Sequence, residues 1–556
     1  MSTVASSART VEDSGGAPGL AAPRRLDLAW RLSLLVALAY LALCLAGALQ
    51  TGTSWDELEH RKYGEMTLDF YRTLGGDRAA TTYWTNYYGA LHALVGACAE
   101  RLFPSLPWPS ARHLGSVAFS LIGFLYTIRL ARLLAGPWAG LVAALLLATT
   151  PRWTGDAMFN PIDMPTAGMH AAALFYLARL VAAPERARRR DWFALGLATG
   201  LTLAVRAIGI LILPYGGLAI AAWVLTTSGS KLALVRQHGA RIANGFLLAG
   251  ATAAVVTFAL WPRLAVEPWT ALMDTLVRTG SYPWPGAVFF EGGFFHGHAL
   301  PRSYLAMWFT ITTPPAVLLG LALALVYRGE WLARERGALL RAGVVVLALL
   351  FPPIYATLEH AVIYDGIRHF LFVLPPLAVL AAVGWVAALR CAARWRRWSA
   401  ATAAAVLLAL SAEPAVWYAR SHPLEYTYFN PLIGGLARAS HSYDTDYWGV
   451  SLRSAADELV RTRRELMGPD GQLALLCNVP WHLIEPWLDD PSKYTVVPSD
   501  QVETPHQIRL LHYRTLSPGW DLDPPPTTKK ILVEGQVPFW QTYLVPRFIP
   551  GSRKSG

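Results

Sequence analysis

The sequence predicts an all-α polytopic membrane protein with about eleven transmembrane helices, followed by a small C-terminal α/β domain outside the membrane. Three observations lead to this prediction. Of the 556 residues, 54% are hydrophobic and only 15% are charged, against roughly 25% charged in an ordinary soluble chain. The mean hydropathy is positive, at +0.33. The apolar residues form long runs with arginines between them, which excludes a soluble enzyme, a disordered scaffold and a collagen-like rod.

Eleven apolar stretches are long enough, alone or with their flanking residues, to be counted as spans. They cover residues 29–49, 114–134, 137–151, 165–183, 192–205, 207–226, 242–262, 304–327, 342–358, 369–389 and 398–413. A cleaved signal peptide is the competing interpretation of the first run. An uncleaved helix is favoured, because acidic residues suited to chemistry follow it directly.

The loops between the spans fall into two sets of opposite charge. The basic set contains Arg24, Arg25, Arg129, Arg132, Arg186, Arg188, Arg189, Arg190, Lys231, Arg236, Arg241, Arg328, Arg334, Arg336, Arg341, Arg390, Arg394, Arg396 and Arg397. The acidic set contains Asp56, Glu57, Asp156, Asp163, Glu291, Glu359 and Asp365. Because Lys and Arg mark cytoplasmic loops, this pattern predicts a cytoplasmic N-terminus and an outer C-terminal domain.

The net charge of +11 would also fit nucleic-acid binding. The arginines lie between apolar segments instead of lining one face, so nucleic acid is not an expected partner. Four cysteines without CxxC or metal-ligand spacing imply neither a disulfide framework nor a zinc site. They are Cys44, Cys98, Cys391 and Cys477.

Three regions are predicted along the chain. Residues 1–28 form a disordered cytoplasmic tail, residues 29–413 the membrane domain and residues 414–556 an extracytoplasmic soluble domain. Two outer loops of the membrane domain are long, at 51–113 and 263–303. The first contains helix-like stretches suited to lying along the membrane interface, at 56–74 and 87–102.

The C-terminal region has the pattern of a small α/β domain. An amphipathic helix is expected at 451–465, with strands at 472–478, 494–497, 508–513 and 530–534. We find no internal repeat in the sequence. This weakens the alternative of a transporter built from inverted repeats.

The first candidate site directly follows the first span, in the segment Trp55-Asp56-Glu57-Leu58-Glu59-His60. A carboxylate there could reach a lipid head group and still ionise. Adjacent carboxylates raise each other's pKa, so that one of them could act as a general base. The alternative is that Asp56 or Glu57 caps the interfacial helix that follows.

A second outer turn, residues 155–165, places Asn160 and Asp163 at the membrane edge. Capping of the following helix is the alternative role for Asp163. Arg206 lies between the fifth and sixth spans, close to the apolar phase. An unpaired arginine there is costly, which favours a phosphate or carboxylate partner; snorkelling to the interface is the alternative.

A third outer element ends in Arg368-His369, where the tenth span enters the membrane. Such a pair suits a lipid phosphate, and a structural Arg368–Asp365 pair is the alternative. His296, His298 and Arg302 form a fourth element. Two histidines at i and i+2 do not share a helix face, and no matching carboxylate motif is present, so a metal site is not expected.

These motifs together resemble a known family. Trp55-Asp56-Glu57 with His60 and Tyr63-Gly64 resembles the Asp-Glu signature in the first outer loop of dolichyl-phosphate-mannose protein mannosyltransferase-like glycosyltransferases (family 39, GT-C fold). The turn from Phe159 to Pro165 is similar to the Asn-Pro-Lys-Asp-x-Pro turn of bacterial members. The tracts 366–372 and 428–449 also resemble those members, so that the resemblance runs over about residues 50–450.

The resemblance implies a GT-C-like enzyme of the bacterial inner membrane. It would transfer a sugar from a polyprenyl-phosphate donor to a protein, lipid or glycan hydroxyl on the outer face. Asp56 would be the catalytic base and Asp163 a second acidic residue, with Glu57 beside them. Ile162 replaces the usual Lys of the turn, so Arg206 or Arg368, with His369, would have to bind the donor phosphate.

The remaining candidates, His60, Asn160, His298 and Arg302, are expected near the acceptor or its loops. A polyprenyl phosphate is a good leaving group, so one base and cations suffice for a single inverting displacement, with no cofactor and no metal expected. Two other functions remain open on the sequence. They are a lipid-linked-sugar transporter or flippase, and a non-catalytic protein of envelope-glycan assembly.

Overall fold

The structure is a computed structural model that describes residues 27–280, 282, 284, 286–332, 336–477, 480–496, 507–510, 530–531 and 542–543. Its helices are α1 (Leu28–Gln50), α2 (Glu57–Arg72), α3 (Ala79–Thr82), α4 (Leu91–Leu102), α5 (Trp108–Ala135), α6 (Pro137–Ala148), α7 (Pro151–Ala157), α8 (Asp163–Val181), α9 (Arg189–Leu203), α10 (Ile212–Thr226), α11 (Lys231–Ala259), α12 (Pro262–Val266), α13 (Pro268–Gly280), α14 (Tyr304–Thr312), α15 (Pro315–Val326), α16 (Arg328–Leu332), α17 (Arg336–Leu358), α18 (Leu374–Trp395), α19 (Arg397–Ser421), α20 (Gly435–Ala439) and α21 (Leu452–Met467). Its strands are β1 (Ala287–Phe290), β2 (Gly293–His296), β3 (Leu473–Cys477), β4 (Tyr494–Val496), β5 (Gln507–Leu510), β6 (Lys530–Ile531) and β7 (Thr542–Tyr543).

Each of the eleven predicted spans coincides with a helix or a broken helix of the bundle. These are α1, α5, α6, α8, α9, α10, α11, α14 with α15, α17, α18 and α19. Within the described residues, seven helices are long and apolar enough to cross a membrane, or eight if the bent α14–α15 pair counts as one span. The short α6 and α9 have 12 and 15 residues. The all-α membrane fold is therefore confirmed, while eleven crossings stay a prediction.

The eighth predicted span is broken instead of straight. Helices α14 and α15 meet at an angle of 112°, at Pro314 and Pro315. Proline lacks the backbone N–H and disfavours a helical conformation in the residue before it. The Asn430 side chain donates to the carbonyl oxygens of Thr310 and Thr313, at 2.6 and 2.9 Å. Asn430, in the segment that follows α19, therefore stabilises the break between α14 and α15.

Helix α18 forms the centre of the bundle. The most apolar part of its span is entirely buried, whereas no more than half of that part is buried in the other long spans. It packs closely against α15, because a side-chain carbon at Gly384 would lie 2.1 Å from the carbonyl oxygen of Gly320. Small residues let apolar helices approach in this way. Arg368 begins the short 3-10 helix Arg368–Val373 that leads directly into α18, so its position is fixed by the most buried helix.

The C-terminal region contains a helix and strands where the sequence predicted them, and three of these strands form a small parallel sheet. Strand β3 lies between β4 and β5 and is parallel to both, and α21 packs on it through Leu452 and Leu459. Residues 478, 497, 511–513 and 532–534 of the expected strands lie outside the described residues. Helix α19 continues through Pro414 to Ser421, beyond residue 413, where we expected the last span to end.

Candidate active site

Asp56 lies just before α2, where the first span leads into the interfacial helix. Its side chain makes no capping hydrogen bond to that helix, so the structure does not show the capping alternative for Asp56. Asp56 Oδ2 instead lies 3.2 Å from Arg368 Nη1, and 38% of the Asp56 side chain is exposed. The sequence predicted both residues as site residues, and the fold brings them together across 312 positions of the chain.

Arg368 is held from several sides. Its Nε lies 3.3 Å from Asp365 Oδ2, so the expected Arg368–Asp365 pair exists beside the pair with Asp56. The guanidinium stands 4.4 Å from the ring centroid of Trp448 and 4.7 Å from that of Tyr364. Asp365 has a φ of +61°, which is costly for a residue with a side chain and is maintained by surrounding structure.

Asp163 and Arg206 form a second pair at the same end of the bundle. Arg206 Nη1 donates to Asp163 Oδ1. Burial acts to lower the pKa of Arg206, but the Asp163 carboxylate together with Tyr88 and Tyr364 outweighs burial and the pKa is raised, while the like charge of Arg368 acts against this rise. Only 6% of the Asp163 side chain is exposed. The Asp163 carboxylate is therefore placed to orient Arg206 and is too buried to contact a substrate.

Asn160 organises the turn that carries Asp163. Its Oδ1 accepts from the backbone N–H groups of Ile162 and Asp163, at 3.2 and 2.9 Å. Its Nδ2 donates to Asp156 Oδ1 at 2.8 Å and more weakly to Asp163 Oδ2 at 3.3 Å. Asn160 is fully buried. It shapes the turn from inside and does not face an acceptor.

Two buried residues, Trp448 and Asp156, connect the two ion pairs. The sequence analysis assigned neither of them a role. Trp448 Nε1 donates to Asp156 Oδ1 at 3.3 Å, and the backbone N–H of Trp55 donates to the Trp448 carbonyl oxygen at 3.3 Å. Burial raises the pKa of Asp156 to about 7, although Asn160 and Arg152 act to lower it. Trp448 thus contacts Arg368, the Asp163 turn and the residue preceding Asp56.

An open cleft of about 170 Å³ adjoins these pairs. Its lining combines cations with aromatic rings and includes Arg206, Arg278, His369, Tyr87, Tyr88, Tyr282 and Tyr364. Tyr364 also stacks on Arg368, which places the Asp56–Arg368 pair at the edge of the cleft. Arg278, on α13, was missed from the sequence. An arginine on an amphipathic helix of the long outer loop 263–303 was the signal that could have revealed it.

Glu57 and His60, two further predicted site residues, also lie under the surface. Glu57 is 1% exposed; His113 lies 2.8 Å from its Oε1, and the backbone N–H of Ser54 donates to its Oε2. His60 is buried against His92, with ring nitrogens 3.0 Å apart. Burial and the charge of Arg112 lower the pKa of His60 to about 3, so it is neutral near pH 7 and supplies no charge.

His298 and Arg302 lie in a smaller neighbouring cavity of about 20 Å³, together with His360. The cavity shares Ala361 and Ile363 with the cleft, so these residues border the site without joining its ion pairs. Among the described residues, no group of three or more His, Cys, Asp or Glu side chains is arranged to hold a metal ion.

The fold and the site together define a multi-pass membrane protein with an exposed, arginine-paired carboxylate beside a cationic cleft. The family model described as "Dolichyl-phosphate-mannose-protein mannosyltransferase" matches residues 109–261, about a quarter of the chain. This match confirms the resemblance that the motifs indicated. It includes the 155–165 turn and Arg206, but not Asp56 or Arg368. No curated protein matches the chain.

Several solved structures are similar to the chain at low identity. ArnT from Cupriavidus metallidurans in the apo state has 16% identity and a TM-score of 0.49, over 83% of this chain and 85% of that one. The apo oligosaccharyltransferase of Archaeoglobus fulgidus has 15% identity and a TM-score of 0.45, over 83% and 63%. The donor-bound Pmt1-Pmt2 complex of S. cerevisiae has 16% and 0.33, over 49% and 42%. Since all three TM-scores are under 0.5, we base the proposed function on the geometry of the site and on the family match.

Proposed function

We propose that this protein is a membrane glycosyltransferase that moves a sugar from a polyprenyl-phosphate donor to an acceptor hydroxyl. The observation that carries the proposal is the position of Asp56. It is the most exposed carboxylate of the site, it pairs with Arg368, and it lies at the edge of a cleft lined by Arg206, Arg278 and His369. A base beside the three arginines Arg368, Arg206 and Arg278 suits the displacement of a phosphate leaving group.

The donor phosphate would bind in the cleft. Arg206 and Arg278 offer planar guanidinium groups that match phosphate oxygens in a bidentate manner. Ile162, which stands where the resembling family has Lys, is only 5% exposed. A side chain at that position faces the protein interior, which supports giving the phosphate contact to Arg206 and Arg278, with His369 beside them.

The transfer itself would be a single displacement. Asp56 takes the proton of the acceptor hydroxyl, and the acceptor oxygen forms a bond to the anomeric carbon. The bond between that carbon and the phosphate oxygen breaks, and its electron pair leaves with the polyprenyl phosphate. One displacement inverts the anomeric centre. Arg368 would orient Asp56 and stabilise the anionic phosphate as negative charge develops on it.

The buried carboxylates have other roles in this proposal. Glu57 is hydrogen-bonded to His113 and the Ser54 backbone, so it fixes the start of α2 instead of meeting substrate. Asp163 orients Arg206. We also propose, from the arginine asymmetry, that the site faces outward from a bacterial inner membrane, with residues 414–556 on the same side.

The experiment is a turnover assay with a fluorescent polyprenyl-phosphate sugar and membranes containing the wild type, Asp56→Asn or Asp69→Asn. Asp69 is the matched control, a half-exposed carboxylate on α2 whose one ion pair among the described residues is with Arg72, at 3.7 Å. We expect Asp56→Asn to lower turnover by about 10²–10⁴-fold, since an amide cannot take the proton, and Asp69→Asn to be unaffected.

Wild-type turnover by Asp56→Asn would remove Asp56 from the mechanism. A wild type that moves the labelled lipid across a vesicle membrane without consuming it would instead favour the transporter alternative. Glycan mass spectrometry of cells with and without the protein would identify the product and its anomeric configuration. A retained configuration would contradict the single displacement.

A further inference from the structure

A second charged cavity lies at the opposite end of the bundle from the cleft. Helix α8 begins at Asp163 and ends at Val181, and its 19 residues place the two ends about 28 Å apart. Beyond that far end, a cavity of about 740 Å³ opens between the start of α9 and the middle of α11. Its lining residues are Ala187, Arg188, Arg189, Trp192, Arg241, Asn244, Gly245 and Leu248.

The side chains that line this cavity carry a net positive charge. Three arginines line it, and no acidic residue does. Nearby carboxylates have other partners: Asp191 lies 3.4 Å from Arg179, and Glu185 lies 3.8 Å from Arg186. Arg188, Arg189 and Arg241 form no ion pair with any residue that the structure describes.

The wall of the cavity is rigid and partly aromatic. Trp192 is 3% exposed, and its indole lies so close to α11 that a side-chain carbon at Gly245 would come within 2.3 Å of the ring. Phe246 packs on the same indole, with centroids 4.8 Å apart. Arg241 Nη2 donates to the Ala187 carbonyl oxygen at 3.3 Å. This bond fixes one guanidinium at the rim.

We propose that this cavity binds a phosphate group, as carried by the headgroup of an anionic membrane lipid. Guanidinium groups bind phosphate through charge-assisted, often bidentate hydrogen bonds, and basic pockets between membrane helices hold anionic headgroups. The cavity is much larger than a single phosphate ion needs, and it opens where the apolar part of α11 begins, which suits a headgroup whose chains continue into the bilayer. This site is separate from the donor cleft and does not depend on the proposed enzyme activity.

The test is lipid retention measured by native mass spectrometry of the full chain, reconstituted with equal amounts of phosphatidylglycerol and phosphatidylcholine. The variants are Arg241→Ala, Arg241→Lys and the double Arg188→Ala/Arg189→Ala. The matched control is Arg236→Ala, which removes an exposed arginine of the same helix that does not line the cavity. Wild type should retain phosphatidylglycerol preferentially. Each arginine lost from the cavity should weaken retention about fivefold, with Arg241→Lys intermediate and Arg236→Ala unchanged.

A second arm measures binding of inorganic phosphate to the detergent-purified protein by calorimetry. If inorganic phosphate binds and Arg241→Ala abolishes this binding, but no lipid is preferred, the cavity is a phosphate site whose ligand is a soluble phosphate compound and not a lipid headgroup. Equal retention by wild type and the cavity variants, with no phosphate binding, would overturn the proposal. An equal loss in Arg236→Ala would also overturn it, because the effect would then be one of general charge. Melting temperatures within a few degrees of wild type would show that the variants are folded.

Discussion

The two ends of helix α8 use arginine in opposite ways. At the end that begins with Asp163, Arg206 and Arg368 each contact a carboxylate and stand over aromatic rings. At the other end, Arg188, Arg189 and Arg241 line an open cavity and have no ion pair among the described residues. A paired guanidinium has a fixed position and keeps further N–H groups to donate to a ligand, whereas an unpaired one carries a positive charge that no neighbouring carboxylate balances.

This difference indicates different tasks for the two ends. A displacement reaction needs groups held within fractions of an ångström, and pairing with Asp56, Asp163 and Asp365 provides that order. Binding a lipid headgroup needs charge more than exact geometry. The same residue type therefore serves orientation at one end and attraction at the other. The predictions below vary one end while leaving the other intact.

The largest expected effect concerns which end faces the cytoplasm. Reporter fusions after Arg190, Arg241, Arg336 and Arg397 should give a cytoplasmic signal, because basic loops stay inside. Fusions after Asp365 and Gly468 should report the outer side. A cytoplasmic signal at Gly468 would contradict the eleven-span topology and would place the proposed active site on the wrong face.

The next effect concerns Arg206. Arg206→Ala should lower kcat/KM by about 10²–10³-fold, because it removes a charged donor beside the developing phosphate charge. Arg206→Lys should be intermediate, since lysine keeps the charge but not the planar fork. Arg302→Ala, in the neighbouring cavity, is the control and should have little effect. Full activity of Arg206→Lys and Arg206→Ala alike would support simple snorkelling.

Trp448 tests whether the two ion pairs act together. Trp448→Ala removes both the ring over Arg368 and the hydrogen bond to Asp156, and should lower kcat by about 10²-fold through misplacement of Arg368. Trp448→Phe keeps a ring and should recover much of this loss. The measurement is kcat and KM with thermal stability. If both variants lose only stability, Trp448 has a merely structural role.

The smallest effect concerns Asp156 and pH. Burial raises the pKa of this carboxyl to about 7, so the folded protein holds a proton that the unfolded chain has already lost above about pH 4. Stability from this group is therefore complete below pH 4 and declines as pH rises to 7. Asp156→Asn removes this decline, and its melting temperature should exceed that of wild type by a few degrees above pH 7. Parallel melting curves for the two proteins would contradict this assignment.

The bundle could be predicted from the sequence because a span is a local property of about twenty residues. All eleven apolar runs became helices, and the helices at 56–74 and 87–102 were found within a few residues as α2 and α4. The break between α14 and α15 was also readable, in Pro314-Pro315, but we placed an unbroken span there.

The site was only partly predictable, since its contacts join distant residues. Asp56, Asp163, Arg206 and Arg368 were chosen singly, yet no local pattern pairs Asp56 with Arg368 across 312 positions. The local pair of Arg368 with Asp365, three residues apart, was anticipated. The burial of Glu57 was not, because it depends on His113 of α5, whose ring nitrogen meets the Glu57 carboxylate only after the bundle has formed.

The most direct test of the central claim separates donor binding from turnover in Asp56→Asn and Arg206→Ala. Both variants would be purified in detergent, and binding of a fluorescent polyprenyl-phosphate sugar would be measured beside product formation with the same lipid. If Asp56 is the base and Arg206 binds the phosphate, Asp56→Asn binds the donor like wild type but forms almost no product, while Arg206→Ala binds it weakly. Loss of donor binding in Asp56→Asn, or product formation at the wild-type rate, would contradict the account.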